Sequence, residues 1–170
     1  MCGSEDYFFN ENADKVAIAL LGKVLCHKLS NGEVVRLRIL ETEAYNKEDG
    51  AICYGGEGNY PKNKSSMLYS VGQLCDYCEM LLISCTAKDR PDNVLIRAGE
   101  ILDENGKPTD FEKPILLRDA FWSGETVTQI DLLTSKDIWI DDLNKPICSY
   151  CCHKRVNIIS NRKWHFCLQE

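Results

Sequence analysis

Alternating apolar and polar positions recur along much of this chain, and a period of two residues predicts β-strands. The pattern covers residues 23–29, 33–45, 75–85, 93–102, 155–160 and 164–168, with a shorter fragment over residues 137–142. Ser30, Asn31 and Gly32 separate the first two strands, and an Asn-Gly pair between alternating segments is a strong hairpin signal. The sequence therefore predicts a sheet built from strands that are close neighbours along the chain.

Helical periodicity is limited to short segments. A first helix should run to Gly22, with Asp14 as its cap. Its apolar face would contain Val16, Ala19 and Leu20. Residues 115–121 suggest a second, shorter helix.

Two polar stretches, residues 46–66 and residues 104–114, predict long loops. We see no internal repeat and no linker that would separate two domains. One helix followed by many strands is typical of an α+β fold. We therefore expect a single compact domain over residues 1–170, with a mainly antiparallel β-sheet core and a few short helices.

The strand predicted over residues 33–45 ends in an unusual way. Positions of one parity are Val35, Leu37 and Ile39, followed by Glu41, Glu43 and Tyr45. One interpretation is that the strand leaves the core, because charges at strand ends are usually solvated. The other is that a carboxylate lies in an apolar, aromatic pocket, where burial costs several kcal/mol unless the charge is paired. Arg97 is a candidate partner, although a structural ion pair or a solvated strand end would also explain it.

The charge distribution limits the possible partners. The formal net charge is −6, which argues against a nonspecific nucleic-acid binder, because such proteins are usually basic. The imbalance comes from residues 103–142, which contain ten acidic and four basic residues. Basic residues cluster at Lys62 and Lys64 and in the tail from Cys148, so a partner that carries phosphates could bind there.

Ten cysteines are many for a chain of 170 residues. The N-terminus resembles no secretory signal, which favours reduced thiols or a metal over disulfides. Cys75 and Cys78, and likewise Cys148 and Cys151, have the spacing of paired zinc ligands. Residues i and i+3 of one strand lie on opposite faces, however, so the first pair could not bind one ion within the predicted strand. The isolated cysteines are most simply small core residues, namely Cys2, Cys26, Cys53, Cys85 and Cys167.

Several short motifs occur in a characteristic order. ALLGKVL is followed by NGEVVRLRILETEAYNKEDGA, then by YPKN and ML, and then by VLIRAGE. In this order the motifs resemble the alkyladenine (3-methyladenine) DNA glycosylase family, with ETEAY as the most specific element. Weaker matches, RVNI and HFCL, continue into the tail. The resemblance covers most of the chain and implies an enzyme that extrudes a damaged purine from duplex DNA and cuts its N-glycosidic bond with water.

The resemblance also implies roles for individual residues. Glu43 would be the general base on the attacking water, and Arg97 would orient that water, assisted by a backbone carbonyl near Val156. Tyr45 and Tyr77 would stack on the flipped base, although Tyr77 without the resemblance would be interpreted as a core residue. An alkylated purine is a cationic leaving group, so an oriented nucleophile and a nearby negative charge would be the main requirements.

The chain departs from the family at recognition positions. Cys53 stands where the family has a pocket histidine, and Met80 stands where it has the tyrosine that fills the gap left by the flipped base. The family's asparagine that excludes guanine aligns near Ala87. Lys62 replaces an arginine, which keeps a phosphate-binding charge but not bidentate geometry. Because the catalytic pair is retained, we expect hydrolysis with altered lesion choice.

These observations leave three hypotheses. The first is a monofunctional DNA glycosylase for alkylated or deaminated purines, the second a diverged relative that binds damaged DNA but cuts weakly, and the third a zinc-binding module. For the first hypothesis the DNA contacts are Met80, Lys62, Lys64 and Arg155, and the lesion pocket contains Tyr45, Cys53, Tyr77 and Ala87. We expect no cofactor, no metal ligands, no membrane association, and a monomer on double-stranded DNA containing damaged purines. The location would be intracellular, and nuclear in a eukaryote.

Overall fold

The computed structural model describes residues 9–46, 71–77, 80–85, 92–112, 114–125, 129–141, 149–155 and 160–169, and the structural statements below concern these residues. Their helices are α1 (Ala13–Leu20) and α2 (Pro114–Trp122). Their strands are β1 (Val24–Lys28), β2 (Val34–Tyr45), β3 (Gln73–Tyr77), β4 (Met80–Cys85), β5 (Asp92–Leu102), β6 (Pro108–Glu112), β7 (Gln129–Asp131), β8 (Ile138–Asp141), β9 (Ser149–His153) and β10 (His165–Gln169).

These strands form one antiparallel sheet in the order β7–β3–β4–β5–β2–β1–β8, with β6 on β5 and with β10 joining β2 to β9. The long strand β2 changes its neighbour along its length. β1 pairs with residues 34–38, whereas β10 pairs with residues 41–43. The predicted α+β class with a mainly antiparallel sheet is confirmed.

Both helices share one hydrophobic cluster with the sheet. From the helices it contains Ala13, Val16, Ala17, Leu20, Leu117, Phe121 and Trp122. The central strands add Leu37, Ile39, Val94 and Ile96, each fully buried. Each such large side chain contributes about 1.5–3 kcal/mol when it leaves water, so this cluster is the main source of stability that holds the site in place.

Helix α1 differs in detail from the prediction. It begins at Ala13, after Asn12, whose side chain makes no capping hydrogen bond. Asp14 is therefore not the cap but an acid in the first turn, where it complements the helix dipole. Its buried face includes Ala17 rather than Ala19, and Gly22 follows the helix end with φ +74°, a backbone conformation that favours glycine.

The strand predicted over residues 75–85 is in fact a hairpin. β3 ends at Tyr77 and β4 begins at Met80, and these two residues pair across the turn. Apolar residues on both sides of residues 78–79 concealed the turn, which has no Gly, Pro or Asn to mark it. The strand-face argument against a shared ion at Cys75 and Cys78 therefore does not apply, because it assumed one strand over residues 75–85. Cys78 itself lies outside the described residues.

The predicted loop over residues 104–114 also contains a strand, β6, which pairs with β5. Asp103 closes the turn between them, because its Oδ1 accepts hydrogen bonds from the backbone N–H groups of Asn105 and Lys107. Short strands at the edge of a sheet are often polar, and the polar composition of β6 therefore made this segment look like a loop.

The cysteines fall into different environments, and those that the structure describes are thiols rather than disulfides. Cys26 and Cys85 are buried, as predicted for small core residues, and burial raises the pKa of Cys26 to about 11. Cys167 is half-buried against Cys151 on β9, so the prediction that it is a core residue is wrong. Cys2 and Cys53 lie outside the described residues.

No helix in the described ranges is both long enough and apolar enough to cross a membrane.

Candidate active site

Both central strands are interrupted where the carboxylates begin. The register between β2 and β5 runs Ile39↔Gly99, Glu41↔Ala98 and Thr42↔Ile96. Leu40 is therefore an extra residue on β2, and Arg97 is an extra residue on β5. A bulge shifts the alternation of side chains by one position, so the residues beyond it exchange faces.

The bulge decides where Glu43 lies. Beyond Leu40 the core face of β2 passes to Thr42, which is fully buried and donates a hydrogen bond from Oγ1 to the Ala17 carbonyl of α1 at 2.9 Å. Glu43 and Tyr45 consequently lie on the opposite face, towards β10 and Arg97. Val35, Leu37 and Ile39 therefore do not share a face with Glu41, Glu43 and Tyr45, so the single parity inferred from the sequence is wrong.

Glu43 is nevertheless buried, with 1% of its surface exposed. Its Oε2 accepts a hydrogen bond of 2.5 Å from the Tyr45 hydroxyl. Its Oε1 lies 3.7 Å from Arg97 Nε and 4.0 Å from His165 Nδ1. Among the described residues, neither Oε1 nor Arg97 Nε has a hydrogen-bond partner. One carboxylate oxygen is thus fixed, while the other faces two nitrogens and has the geometry to accept a proton.

Tyr45 is held between this carboxylate and a buried cation. The Arg155 guanidinium lies 4.9 Å from the centre of the Tyr45 ring and donates a hydrogen bond to the Ala44 carbonyl at 2.6 Å. Burial, and then the Glu43 carboxylate, raise the pKa of Tyr45 far above its usual range. The phenol therefore stays protonated and donates to Glu43 throughout the normal pH range.

Tyr45→Phe should lower the free energy of unfolding by about 1.5–3 kcal/mol at neutral pH, the usual contribution of a hydrogen bond to a charged group. The raised pKa gives this difference a pH dependence. The stabilisation by the hydroxyl is complete below about pH 10, the pKa of an unfolded tyrosine, and declines at higher pH. Urea unfolding of both proteins between pH 7 and pH 11 measures this. The exposed Tyr150 provides the control variant Tyr150→Phe, and a difference that persists unchanged at high pH would contradict the assignment.

The other predicted site residues are placed less completely. Met80 is half-buried at the start of β4, and Tyr77 ends β3 beside it. Across the sheet, Glu43 pairs with Leu95, which pairs with Leu82, two residues after Met80. The remaining ones, Cys53, Lys62, Lys64 and Ala87, lie outside the described residues, as does Val156. The structure thus brings together Glu43, Arg97, Tyr45 and Arg155, and locates Met80 one strand beyond β5.

Several site residues were missed from the sequence. His165 pairs with Glu43 across the β2–β10 ladder, and its Nε2 lies 3.1 Å from Glu41 Oε2. Trp164 lies next to two guanidiniums, with Arg155 at 5.4 Å and Arg162 at 4.6 Å from a ring centre. Strand alternation does place His165 and Cys167 on one face of β10, but nothing in the sequence identifies β2 as the partner of that strand.

The chain was expected to contain no metal ligands, but donor groups do cluster beside this site. In each of two sets, the ligand atoms lie within 4.8 Å of one another. The sets are Cys151, His153 and Cys167, and Glu41, His165 and Cys167.

Residues 7–170 match the family described as methylpurine-DNA glycosylase. The chain is 30% identical over 181 residues to a protein of Borrelia garinii subsp. bavariensis named "Putative 3-methyladenine DNA glycosylase", covering 96% of this chain and 95% of that protein. A Natranaerobius thermophilus protein of the same name is 29% identical over 195 residues, covering 97% and 95%. One from Methanocella arvoryzae is 38% identical over 101 residues, covering 56% and 50%. The predicted resemblance is confirmed, and this chain belongs to the methylpurine-DNA glycosylase family.

Proposed function

We propose that this chain flips a damaged purine from duplex DNA and hydrolyses its N-glycosidic bond with a water molecule that Glu43 activates. Residues 1–170 would form one domain for this reaction. The observation that carries the proposal is the buried Glu43 carboxylate, whose Oε1 and whose neighbour Arg97 Nε both lack a hydrogen-bond partner in the described part of the chain. A buried carboxylate is costly, and it is therefore most easily explained by chemistry.

The attacking water would bind between these two atoms. They are 3.7 Å apart, too far for a direct hydrogen bond, and a polar gap of this kind suits a bridging water. The water would accept a hydrogen bond from Arg97 Nε and donate one to Glu43 Oε1. This arrangement would satisfy both polar atoms and direct a lone pair of the water towards the sugar.

Tyr45 would keep the carboxylate in position. Its hydroxyl occupies Oε2, so Oε1 is the oxygen that remains to accept the proton. Arg155 covers one face of the Tyr45 ring, which leaves at most the other face to stack on an extruded base. Stacking by Tyr45 and Tyr77 would help to offset the few kcal/mol that flipping costs.

The bond changes are simple. The water oxygen would bond to the sugar C1′ as the C1′–N bond breaks, and one water proton would pass to Glu43. The electron pair of the broken bond would leave with the base. An alkylated purine carries a positive charge and becomes neutral on departure, so it needs little acid catalysis. The Glu43 carboxylate would also stabilise the positive charge that develops on the sugar.

Lesion choice would differ from that of relatives that keep the family residues at the recognition positions. Met80 would act as the apolar wedge in the gap left by the flipped base, a role that methionine can take. Cys53 and Ala87 would change the hydrogen bonds and the space around the base, and Lys62 and Lys64 would contact phosphates. We expect a monomer on double-stranded DNA, with a nuclear location if the source is eukaryotic.

A base-release assay tests the proposed function. Duplexes containing 3-methyladenine, hypoxanthine or ethenoadenine would be incubated with the enzyme, and abasic sites would be scored as strand breaks after alkali. We expect release from at least one lesion, no strand cleavage before alkali, and no release from the undamaged duplex. A lesion-dependent gel shift without any release would instead support a relative that binds damaged DNA but does not cut. If the protein shows no binding and no release, both functions are overturned.

A further inference from the structure

Two neighbouring strands carry the same pair of residue types on one face. On β9, Cys151 and His153 are two residues apart, and on β10 so are His165 and Cys167. The β9–β10 register places cysteine opposite cysteine and histidine opposite histidine. Because side chains alternate along a strand, these four residues share one face, whereas Cys152 has the opposite parity. Four nitrogen and sulfur donors therefore form a rectangle on the sheet.

The donor atoms are already close together. Cys151 Sγ lies 3.1 Å from His153 Nε2, and Cys167 Sγ lies 3.4 Å from His165 Nε2. Tetrahedral zinc, with bonds of about 2.3 Å to sulfur and about 2.0–2.1 Å to nitrogen, needs donor atoms roughly 3.3–3.8 Å apart. Cys151, His153 and Cys167 already have ligand atoms within 4.8 Å of one another, and His165, now grouped with Glu41 and Cys167, would have to turn from Glu41 to complete four ligands around one ion.

The alternative is that His165 stays with Glu41, whose Oε2 lies 3.1 Å from its Nε2, and that the thiols and imidazoles make only weak hydrogen bonds with one another. Such bonds contribute little on a strand pair whose residues Cys152 and His153 are exposed. The donor set itself is selective. Two of the three histidines of the chain occupy facing positions beside two cysteines, and two cysteines with two histidines are a typical ligand set for structural zinc.

We propose that Cys151, His153, His165 and Cys167 bind one zinc ion on the β9–β10 face. The site differs from the pairing that cysteine spacing suggested. Four strands, β4, β5, β2 and β10, lie between Cys75 on β3 and Cys151 on β9, so these two cysteines do not share one ion.

The ion would be linked to the active site through His165. When its Nε2 binds the metal, its Nδ1 must carry the proton, and Nδ1 is the atom 4.0 Å from Glu43 Oε1. Bound zinc would thus fix an N–H donor facing Oε1, the oxygen proposed to take the proton of the attacking water, and a hydrogen bond from Nδ1 would compete with that water for Oε1. This link rests on the proposed function, and it makes base release slower when zinc is bound.

Cobalt titration tests the site without any DNA. Reduced full-length protein should bind one Co²⁺ per chain, with the absorption of a tetrahedral thiolate complex, and Zn²⁺ should displace it. Cys151→Ser and Cys167→Ser should each weaken cobalt binding by at least about 10–100-fold, because even the mutation of a residue that only supports a metal ligand lowers metal affinity by that factor. Cys152→Ser, the adjacent thiol on the other face, is the matched control and should bind normally. Circular dichroism would confirm that each variant folds.

Other outcomes of the titration overturn the site. If the wild type does not bind cobalt stoichiometrically, the proposed site is overturned. It is also overturned if both serine variants still bind cobalt and Cys148→Ser does not. If Glu41→Gln loses cobalt binding while the His165→Asn variant binds normally, the Glu41 carboxylate is a ligand and the His165 imidazole is not. That result would also overturn the proposed ligand set.

The link to Glu43 is tested separately. Zinc should slow base release by about fivefold or more in the wild type and in Cys152→Ser, but not in Cys151→Ser. An unchanged rate at saturating zinc would overturn the link. If the protein releases no base at all, the proposed function fails while the cobalt result still decides the metal site.

Discussion

Glu43→Gln should lower the rate of base release by about 10²–10⁴-fold, the contribution of a positioned general base. The amide has nearly the shape of the carboxylate and can still accept the Tyr45 hydrogen bond through its oxygen. Its NH2 group would then face the water and Arg97, and it cannot accept a proton. Single-turnover release of 3-methyladenine from a duplex, measured with enzyme in excess, reports this step directly.

The same substitution should leave the fold intact. Glu43 is 1% exposed, so neutralising it removes a desolvation penalty but also the charge that faces Arg97, whose side chain is 28% exposed and can be solvated, and the net change in the free energy of unfolding should be small. Binding to a lesion-containing duplex should persist, because the affected interaction is made in the transition state. A loss of release that comes with a loss of folding or of DNA binding would not support the proposed role.

Glu41 provides the matched control, since it lies on the same strand and the same face. Its side chain is 35% exposed and faces His165 Nε2 at 3.1 Å rather than Arg97. Glu41→Gln should therefore reduce the rate by less than about tenfold, the size of effect expected for a change of 1.4 kcal/mol or less. Equal losses in both variants would mean that the negative charge on this face of β2 promotes the reaction, and not a proton acceptor at Glu43.

Much of the fold could be predicted because it follows local rules. The hairpin at Asn31 and Gly32 and the strand β10 were readable from turn chemistry and alternation. The hairpin between β3 and β4 was not, because apolar residues flank a turn without turn residues. The sequence pattern did not predict strand β6, because it is a polar strand at the edge of the sheet. It did not predict β9 either, because that strand is short and mixed in composition.

The site was only partly predictable for a physical reason. Motif order identified Glu43, Tyr45 and Arg97, yet the pattern placed the first two on the core face. Leu40 and Arg97 are bulge residues, and a bulge depends on how two distant strands pair, which neither sequence segment shows alone. His165 was missed for the same reason, since it reaches Glu43 only through the β2–β10 pairing.

Arg155 illustrates how burial changes an interpretation based on charge. A basic residue in the tail suggests a phosphate contact, but Arg155 is 4% exposed and lies between the rings of Tyr45 and Trp164. Its Nη1 also holds the Ala44 carbonyl, next to Glu43. These contacts favour a role in holding the site together, while the predicted contact with DNA stays untested.

Arg155→Ala should therefore lower the free energy of unfolding by about 3 kcal/mol or more, because it removes a charged hydrogen bond worth about 1.5–3 kcal/mol and desolvated cation–π contacts of about 2 kcal/mol. Base release should fall as well, since the Tyr45 ring loses its support. The salt dependence of DNA binding should not change, because no phosphate contact is lost. Urea unfolding and binding to a duplex at several salt concentrations measure the two effects separately.

Lys163→Ala is the contrasting variant, because Lys163 is an exposed cation of the same tail. If it contacts a phosphate, its removal should reduce the slope of log K against log salt by about 1 and change stability by less than about 0.5 kcal/mol. The opposite pattern, with a smaller salt slope and unchanged stability for Arg155→Ala, would mean that the guanidinium leaves Tyr45 to bind DNA. Tyr45 would then hold Glu43 through its hydroxyl alone, and Arg155 would belong with the phosphate contacts, as its charge first suggested.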